Sequence, residues 1–227
     1  MKTVVNWTEG INMITEDRGL VKSVAQNEYF SVEAVYGMIP LDIRLHMQRV
    51  AGYCDVMAKV IERDPTFINS IEREFYPYAK MVFKYHDIGY AFISEEERNK
   101  EGIVKEHVSL AENAFDKIVY KRLSPRLEQH ARDCAKYHHE KFDGTGYPEG
   151  LKGEDIPLVA RICAIADMYD RLLLEQPYDI YDRNDEIMEI IKSESGKSFQ
   201  PKLVEIFMNC DEKLKSLNVA YGMQRLY

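Results

Sequence analysis

A set of apolar helical stripes, interrupted by histidine and aspartate, most constrains the fold of this 227-residue chain. Apolar residues recur at spacings of three and four, which places them on one face of a helix. One such stripe consists of Met47, Val50, Cys54, Met57 and Ile61. No long alternation of apolar and polar residues indicates a strand. We therefore predict an all-α fold in which these stripes pack together as a helical bundle.

Residue types that bind metals lie on or beside the same apolar faces. They are His46, His86, Asp87, His107, His138, His139 and Asp167. One histidine on an apolar face is usually a hydrogen-bonded core residue, but five of the six histidines share this placement. Imidazole nitrogen and carboxylate oxygen together suit iron, manganese, zinc or nickel, and no cysteine pair suggests a structural zinc site. The pattern predicts a metal centre between the helices.

Composition excludes several classes of protein. The net charge of −8 provides no broad basic field for a nucleic acid polymer, although bound metal ions can still attract a phosphorylated small molecule. No apolar run approaches the roughly 20 residues that cross a bilayer, and the first residues become polar too soon for a signal peptide. The four isolated cysteines are typical of reduced thiols. We expect a cytoplasmic protein with no membrane partner.

Helix-breaking and helix-capping residues divide the chain into helices and one main loop. Residues 142–157 hold four glycines and two prolines, which predicts an ordered loop. Ser124 followed by Pro125 predicts a helix start. The apolar stripe from Phe75 to Phe83 predicts another helix, which Gly89 is expected to end. Residues 184–192 and 201–217 are predicted to be two closing helices. We predict a partly helical N-terminal extension at 1–35 and one domain at 36–227.

Five sequence motifs together resemble one known family. They are LHMQRV at 45–50, HDIG at 86–89, HHEKFDGTGYPEGLKGEDIP at 138–157, ARICAIADMYD at 160–170 and SGKSFQP at 195–201. These motifs are similar to those of the HD-GYP subgroup of the HD-domain phosphohydrolases, from about residue 40 to about residue 210. The resemblance implies an HD-domain helical bundle around two or three metal ions, with iron or manganese expected. It also implies hydrolysis of cyclic dinucleotides, above all cyclic di-GMP.

The resemblance assigns roles to the residues of the predicted metal centre. All seven histidines and aspartates named above become metal ligands, and His86 and Asp87 become the catalytic pair, with Asp87 bridging two ions. Asp42 lies one helical turn before His46, where three-metal members carry glutamate; it is either a further ligand or a solvated carboxylate. Two ions ~3.5–4 Å apart would share a hydroxide that attacks the phosphodiester in line.

The substrate side departs from the family pattern. Tyr90 stands where the subgroup has lysine, and Gln176 and Asp179 stand where it has basic residues. Three cations expected to face phosphate are therefore missing or replaced. The candidate substrate-binding residues are Tyr90, Arg49, Arg171, Gly146 and Tyr147; Arg49 and Arg171 are alternatively solvated helix charges. The glycine-rich loop is expected to be structural, and the resemblance also implies a surface there for a diguanylate cyclase-domain protein.

Three functional hypotheses remain open at this point. The ligand set favours a phosphodiesterase that hydrolyses a cyclic dinucleotide by metal-activated hydroxide, with cyclic di-GMP as the expected substrate. The missing cations leave room for a hydrolase of another phosphate ester. They also leave room for a degenerate HD-GYP signalling module that binds metal and nucleotide with little or no catalysis.

Overall fold

The computed structural model describes residues 30–98, 105–118, 123–174 and 180–222, and every named element in these ranges is helical. The all-α prediction is therefore confirmed. The α-helices are α1 (Val32–Met38), α2 (Leu41–Ile61), α3 (Ala79–Phe83), α4 (Glu95–Arg98), α5 (Glu106–Lys117), α6 (Pro125–Tyr137), α7 (Leu158–Leu174), α8 (Ile180–Ser193), α9 (Pro201–Met208) and α10 (Asp211–Ala220). Short 3₁₀ helices lie at Tyr76–Tyr78, Ile88–Phe92 and Gly153–Asp155.

The core forms around α2, a 21-residue helix that packs against α3, α7, α9 and α10. The predicted stripe from Met47 to Ile61 is buried along its whole length. Burying each large apolar side chain stabilises the fold by roughly 1.5–3 kcal/mol. His46 contacts Asp170, and further along α2 the thiol of Cys54 meets that of Cys163. The helices α2 and α7 therefore run antiparallel and present His46 and Asp167 to each other.

The predicted start of α6 and the loop that follows it are both confirmed. Ser124 caps the helix, since its hydroxyl accepts a hydrogen bond from the Leu127 amide at 3.4 Å. Helix α6 then carries the chain to His138, and the loop at 142–157 returns it to α7. The Asp143 amide donates to the Lys197 carbonyl at 2.8 Å, which ties the loop to the turn before α9.

Two predictions of helix ends were wrong. The apolar run from Phe75 to Phe83 forms a 3₁₀ turn and then the short α3, not one continuous helix. Gly89 does not cap that helix; it lies inside the Ile88–Phe92 turn, where an added Cβ would collide with the His107 carbonyl and come within 2.7 Å of its carbon. The glycine therefore serves a close backbone contact between this turn and α5.

The closing segments form three helices in the described chain, because the predicted helix at 201–217 breaks at Asn209 and Cys210 into α9 and α10. A chain of hydrogen bonds ties them to the core. The Tyr53 hydroxyl donates to Asn218, the Asn218 amide to Tyr169, and the Tyr169 hydroxyl to Asn184, at 2.7, 2.9 and 3.0 Å. These buried polar groups satisfy one another, so they position α8 and α10 without an unpaired group between them.

The predicted division of the chain at residue 35 stays a prediction. Helix α1 spans that boundary, and its Val35 side chain is fully buried against the core. Residues 1–29 lie outside the described residues. Within the described ranges, no helix combines the length and the apolar character that crossing a membrane requires.

Candidate metal centre

Five parts of the fold converge on one buried group of histidines and aspartates. Their positions are His46 on α2, His86 and Asp87 between α3 and the next 3₁₀ turn, His107 on α5, His138 and His139 at the end of α6, and Asp167 on α7. His86, His107 and His138 are at most 1% exposed, and Asp87 is 2% exposed. The seven residues predicted from the sequence therefore meet in space, although they span more than half of the chain.

The Asp87 carboxylate lies at the centre and divides the donor atoms into two clusters. Its Oδ2 lies 3.6 Å from His46 Nε2 and 3.5 Å from His86 Nε2. Its Oδ1 lies 3.1 Å from His107 Nε2 and 3.3 Å from His138 Nε2. The first cluster is therefore His46, His86 and Asp87, and the second cluster is Asp87, His107, His138 and His139. In each cluster the donor atoms lie within 4.8 Å of one another, which is the spacing of ligands around a single ion.

Backbone carbonyls fix which nitrogen of the ligand histidines faces inward. His86 Nδ1 lies 3.1 Å from the Phe83 carbonyl, and His138 Nδ1 lies 3.1 Å from the Cys134 carbonyl. A carbonyl only accepts, so each Nδ1 carries the proton and each Nε2 keeps a free lone pair. These lone pairs point at Asp87 and at the centre of the clusters. The imidazoles are thus oriented as metal ligands before any ion binds.

The first cluster is surrounded by negative charge. His46 Nε2 lies 3.0 Å from Asp167 Oδ1, and His46 Nδ1 donates to Asp170 Oδ2 at 2.7 Å. Burial lowers the pKa of His46, but the hydrogen bonds to Asp167 and Asp170 prevail and raise it to about 9. Without an ion His46 is therefore protonated and pairs with these carboxylates. His46 and His86 meet with their Nε2 atoms 3.4 Å apart. A divalent ion would displace the His46 Nε2 proton and take its place among the same groups, so the first cluster fits a divalent ion.

Arg49, a predicted substrate-binding residue, lies behind this cluster. Its Nε donates to Asp170 Oδ1 at 2.7 Å and its Nη2 to Asp170 Oδ2 at 2.9 Å. Asp170 is fully buried, and the two-point ion pair holds it in place for His46. The structure therefore places the Arg49 charge on Asp170, where it supports a ligand, and not in the cavity described below.

The second cluster is lined by aromatic rings. The Tyr90 ring stacks on His107 with centroids 4.6 Å apart, and the Tyr147 ring stacks on His139 at 4.9 Å. Burial, followed by the repulsion from His138, lowers the pKa of His139 to about 2, so its imidazole is neutral. His139 Nε2 and Asp87 Oδ1 are buried and have no hydrogen-bond partner among the described residues.

Those orphaned atoms test whether a metal fits the second cluster. A buried polar atom without a partner costs about 1–3 kcal/mol, and native proteins rarely leave several together. Coordination of one ion would satisfy the lone pairs of Asp87 Oδ1 and the inward imidazole nitrogens at once. The donor set of three imidazoles and one carboxylate oxygen also matches the preference of iron, manganese or zinc.

A cavity of about 270 Å³ opens beside this centre, between α6, α7 and the loop at 142–157. Tyr147 and Arg171, two of the predicted substrate-binding residues, line it together with His138, His139 and Asp167. It is the space through which a ligand reaches the clusters from this side.

The other predicted residues lie elsewhere. Gly146 packs on the backbone of Glu140, where an added Cβ would come within 2.5 Å of the Glu140 Cα, so the glycine is needed for packing. Asp42 is exposed on the first turn of α2 and belongs to neither cluster. Gln176 and Asp179 lie outside the described residues.

Glu140 is a site residue that the sequence interpretation missed. It is 3% exposed, and its Oε1 accepts hydrogen bonds from the amides of Glu149 and Gly150 at 2.7 and 3.0 Å. These bonds close the glycine-rich loop onto the end of α6 beside the two ligand histidines. The available sign was a carboxylate directly after His138 and His139, at the point where α6 gives way to the loop.

Residues 91–203 of this chain match the family described as "HD domain". A 3'3'-cGAMP-specific phosphodiesterase 2 of Vibrio cholerae is 32% identical over 208 residues, which cover 88% of this chain and 37% of the relative. A cyclic di-GMP phosphodiesterase of Thermotoga maritima is 29% identical over 77% of this chain and 46% of the relative.

A solved structure shares the fold. The crystal structure of the cyclic GMP-AMP-specific phosphodiesterase V-cGAP3 of Vibrio cholerae covers 81% of this chain and 50% of its own, with a TM-score of 0.52 and 21% identity. At that identity the likeness shows the arrangement of helices and no more.

Helices, clusters and matches together define an HD domain. The chain belongs to the HD-domain phosphohydrolases, in their HD-GYP subgroup. It spans less than half of the length of these curated relatives, 37% of one and 46% of the other. Their named activities are those of longer proteins.

Proposed function

We propose that this domain is a metal-dependent phosphodiesterase that hydrolyses a cyclic dinucleotide. One observation carries the proposal: the two oxygens of the Asp87 carboxylate face two separate groups of imidazoles, at 3.1 Å from His107 and 3.5 Å from His86. A shared carboxylate between two ions is the arrangement that two-metal hydrolysis of phosphate esters uses. Relatives named as 3'3'-cGAMP and cyclic di-GMP phosphodiesterases support the substrate class.

The ligand residues divide the work of holding two ions. His46, His86 and Asp87 would hold one ion with Asp167 beside it, and Asp87, His107, His138 and His139 would hold the other. Bound divalent ions supply an ionised water at neutral pH and offset the charge that builds up on the phosphate. We propose iron or manganese, which the family resemblance implies and which the nitrogen and oxygen donors of the described ligands fit. Asp42 lies outside both clusters, so two ions per chain are the number that we propose.

The chain's own residues keep this centre charged and fixed. Burial would raise the pKa of Asp87, but the imidazoles of His86 and His107 hold it well below its usual value. Asp87 therefore stays ionised. The carbonyls behind His86 and His138, and Asp170 behind His46, hold each imidazole in one orientation, so little reorganisation accompanies the reaction.

The identity of the cyclic dinucleotide is a finer proposal. The family resemblance favours cyclic di-GMP, while the relative that is 32% identical is specific for 3'3'-cGAMP by name. The observation that favours the alternative of a non-catalytic module is Tyr90, which lies flat on His107 and brings no positive charge. A diguanylate cyclase-domain partner and a cytoplasmic location remain predictions from the sequence.

Metal analysis and turnover measured together test the proposal. Protein purified without oxygen is analysed for iron and manganese and assayed with cyclic di-GMP, 3'3'-cGAMP and bis(p-nitrophenyl) phosphate. We expect about two ions per chain and turnover of at least one cyclic dinucleotide, as two-metal sites require. Asp87→Ala should abolish both.

A matched control separates ligand histidines from histidine content. His130 hydrogen-bonds to Glu72 at 3.1 Å and belongs to neither cluster, so His130→Ala should keep its metal and its turnover. Bound metal and nucleotide without turnover of any substrate would favour the signalling module. A folded protein that takes up no metal would overturn both hypotheses.

A further inference from the structure

Arg171 lines the cavity beside the metal centre, and only one of its three guanidinium nitrogens is paired with a carboxylate among the described residues. It lies on α7 one turn after Asp167, lines the cavity with Tyr147, and is 40% exposed along its side chain. Its Nε lies 3.0 Å from each oxygen of the Asp167 carboxylate. The two terminal nitrogens of the guanidinium have no hydrogen-bond partner among the described residues.

This geometry leaves a preoriented donor fork. A guanidinium is planar, so anchoring Nε fixes the direction of the two terminal nitrogens. Those nitrogens carry donors at the spacing of two phosphate oxygens, which is why arginine binds phosphate in a two-point manner. The anchor itself is Asp167, a residue that we propose beside the first ion. The fork is therefore held at a set position relative to the metal centre.

The charge of Arg171 also affects the pKa values of two tyrosines. Burial raises the pKa of Tyr147 to about 12, and the Arg171 guanidinium works against that rise. Burial likewise raises the pKa of Tyr90, again with Arg171 opposing it. Both phenols therefore remain protonated donors, and both lie within the field of Arg171. The guanidinium therefore lies close enough to both tyrosines to act on them, and their rings stack on His107 and His139.

We propose that Arg171 binds the scissile phosphate of the substrate through its two terminal nitrogens, in the place of the cation that is absent at position 90. The proposal rests on the proposed function, because it names the group that binds that substrate. Lys141 also lines the cavity, but it is exposed on the loop side, and the residue that its charge affects there is Asp143. Arg171 lies on the Asp167 side.

Replacement of the arginine gives the primary test. Arg171→Ala should lower kcat/KM for the cyclic dinucleotide about 100-fold, the usual loss when one preoriented donor to a reacting oxyanion is removed. It should weaken competitive inhibition by inorganic phosphate, while the metal content stays at the wild-type value. Arg171→Lys should fall between the two, since it keeps the charge and loses the fork.

The control is a second arginine with the same local pairing. On α6, Arg132 Nε donates to Glu128 Oε1, four residues earlier, at 3.0 Å. Its terminal nitrogens are paired as well, with Asp116 and Glu128, and it does not line the cavity. Arg132→Ala therefore removes a guanidinium without removing donors from the cavity, so its kinetics and phosphate inhibition should match the wild type. A comparable loss in both variants would overturn the proposal, because it would show a general effect of charge.

A rescue distinguishes phosphate binding from positioning of Asp167. Adding Tyr90→Lys to Arg171→Ala brings an ammonium near the same oxygens and should restore at least about 10-fold of the lost kcat/KM, the value of roughly one charged contact. If Arg171 only positions Asp167, the alanine variant should lose metal and the added lysine should restore nothing. That result, or unchanged kinetics in Arg171→Ala, would overturn the proposal.

The proposal can fail separately from the proposed function. If the wild-type protein proves inactive, calorimetry of the metal-loaded protein with cyclic di-GMP still tests Arg171. Binding that weakens in Arg171→Ala and not in Arg132→Ala supports the phosphate contact in a binding module. Equal affinity in the wild type and both variants overturns it.

Discussion

The two clusters that share Asp87 differ in how their ligands are supported. In the first cluster, the ligand His46 contacts Asp167 and Asp170, and Asp170 in turn forms an ion pair with Arg49 at 2.7 Å. Around the second, the support is aromatic, with tyrosine rings stacked on His107 and His139. The first cluster is thus supported by ion pairs on α2 and α7, while the second is lined by tyrosine rings beside the loop at 142–157.

This difference explains how one metal centre can bind its ions tightly and still leave one of them accessible to a substrate. Carboxylates near the first cluster add Coulombic attraction for a divalent ion, which is strong where water is excluded. Among the described residues, Asp87 is the one carboxylate of the second cluster, so an ion there would keep more of its charge for a bound ligand. We therefore expect the first cluster to hold the tighter ion and the second to face the substrate. The predictions below test that contrast.

Asp87→Asn should have the largest effect, because it removes the one charge that both clusters share. The amide cannot ligate an ion through both atoms, so we expect loss of most metal and a fall in kcat of at least about 10³-fold. Elemental analysis and initial rates measure this. Asp143→Asn is the matched control, since the Asp143 side chain lies outside both clusters and accepts hydrogen bonds from Thr145 in the loop, at 2.7 and 2.9 Å. If Asp87→Asn kept one tightly bound ion, the clusters would be independent.

Asp170→Asn should weaken the first cluster alone. The amide keeps the shape but removes the negative charge behind His46, and such changes behind a ligand typically cost about 10–100-fold in metal affinity. Titration of metal-free protein with Mn²⁺ should show one site weakened and the other unchanged. Weakening of both sites to the same extent would contradict the different support of the two clusters, ion pairs around the first and aromatic rings around the second.

Chelator should remove the two ions in order. Among the described residues, the second cluster has no carboxylate besides the shared Asp87, so its ion should leave first at low EDTA concentration. We expect turnover to fall with the loss of the first ion equivalent, while about one ion per chain remains. Measuring metal content and rate on the same samples checks this. A single cooperative loss of both ions would argue against unequal affinities.

Tyr147→Phe should have the smallest effect. The ring that stacks on His139 is kept, and only the hydroxyl facing the cavity is lost, so the metal content should not change. We expect kcat/KM to fall by about 3–10-fold, as for one neutral hydrogen bond to the substrate. Tyr147→Leu, which also removes the stacked ring, should in addition weaken the second ion. Equal behaviour of the two variants would show that stacking contributes nothing.

The ligands of both clusters could be predicted because they interrupt helical stripes. A histidine on an apolar face is conspicuous in a period of 3.6 residues, and His86, His107 and His138 all stand on such faces. The all-α fold followed from the same period. The loop at 142–157 was equally visible from its glycines and prolines.

Contacts between distant parts of the chain could not be predicted. Arg49 and Asp170 are 121 positions apart, and no local pattern pairs them, so Arg49 was interpreted as a substrate contact. The break of α9 and α10 at Asn209 depends on packing, since apolar residues continue across it. The short α3 has the same cause: Phe75 and Phe83 are both fully buried, but 3₁₀ turns flank five helical residues.

The close contact at Gly89 has a consequence for the evolution of such a domain. Its missing side chain lets the HDIG turn touch the backbone of α5 at His107, with no room there for even one methyl group. The placement of His107 relative to Asp87 is thus set by direct backbone contact and not by the length of the connection between Asp87 and His107. We expect that connection to accept insertions and deletions freely, and new surface loops to be acquired there without disturbing the chemistry.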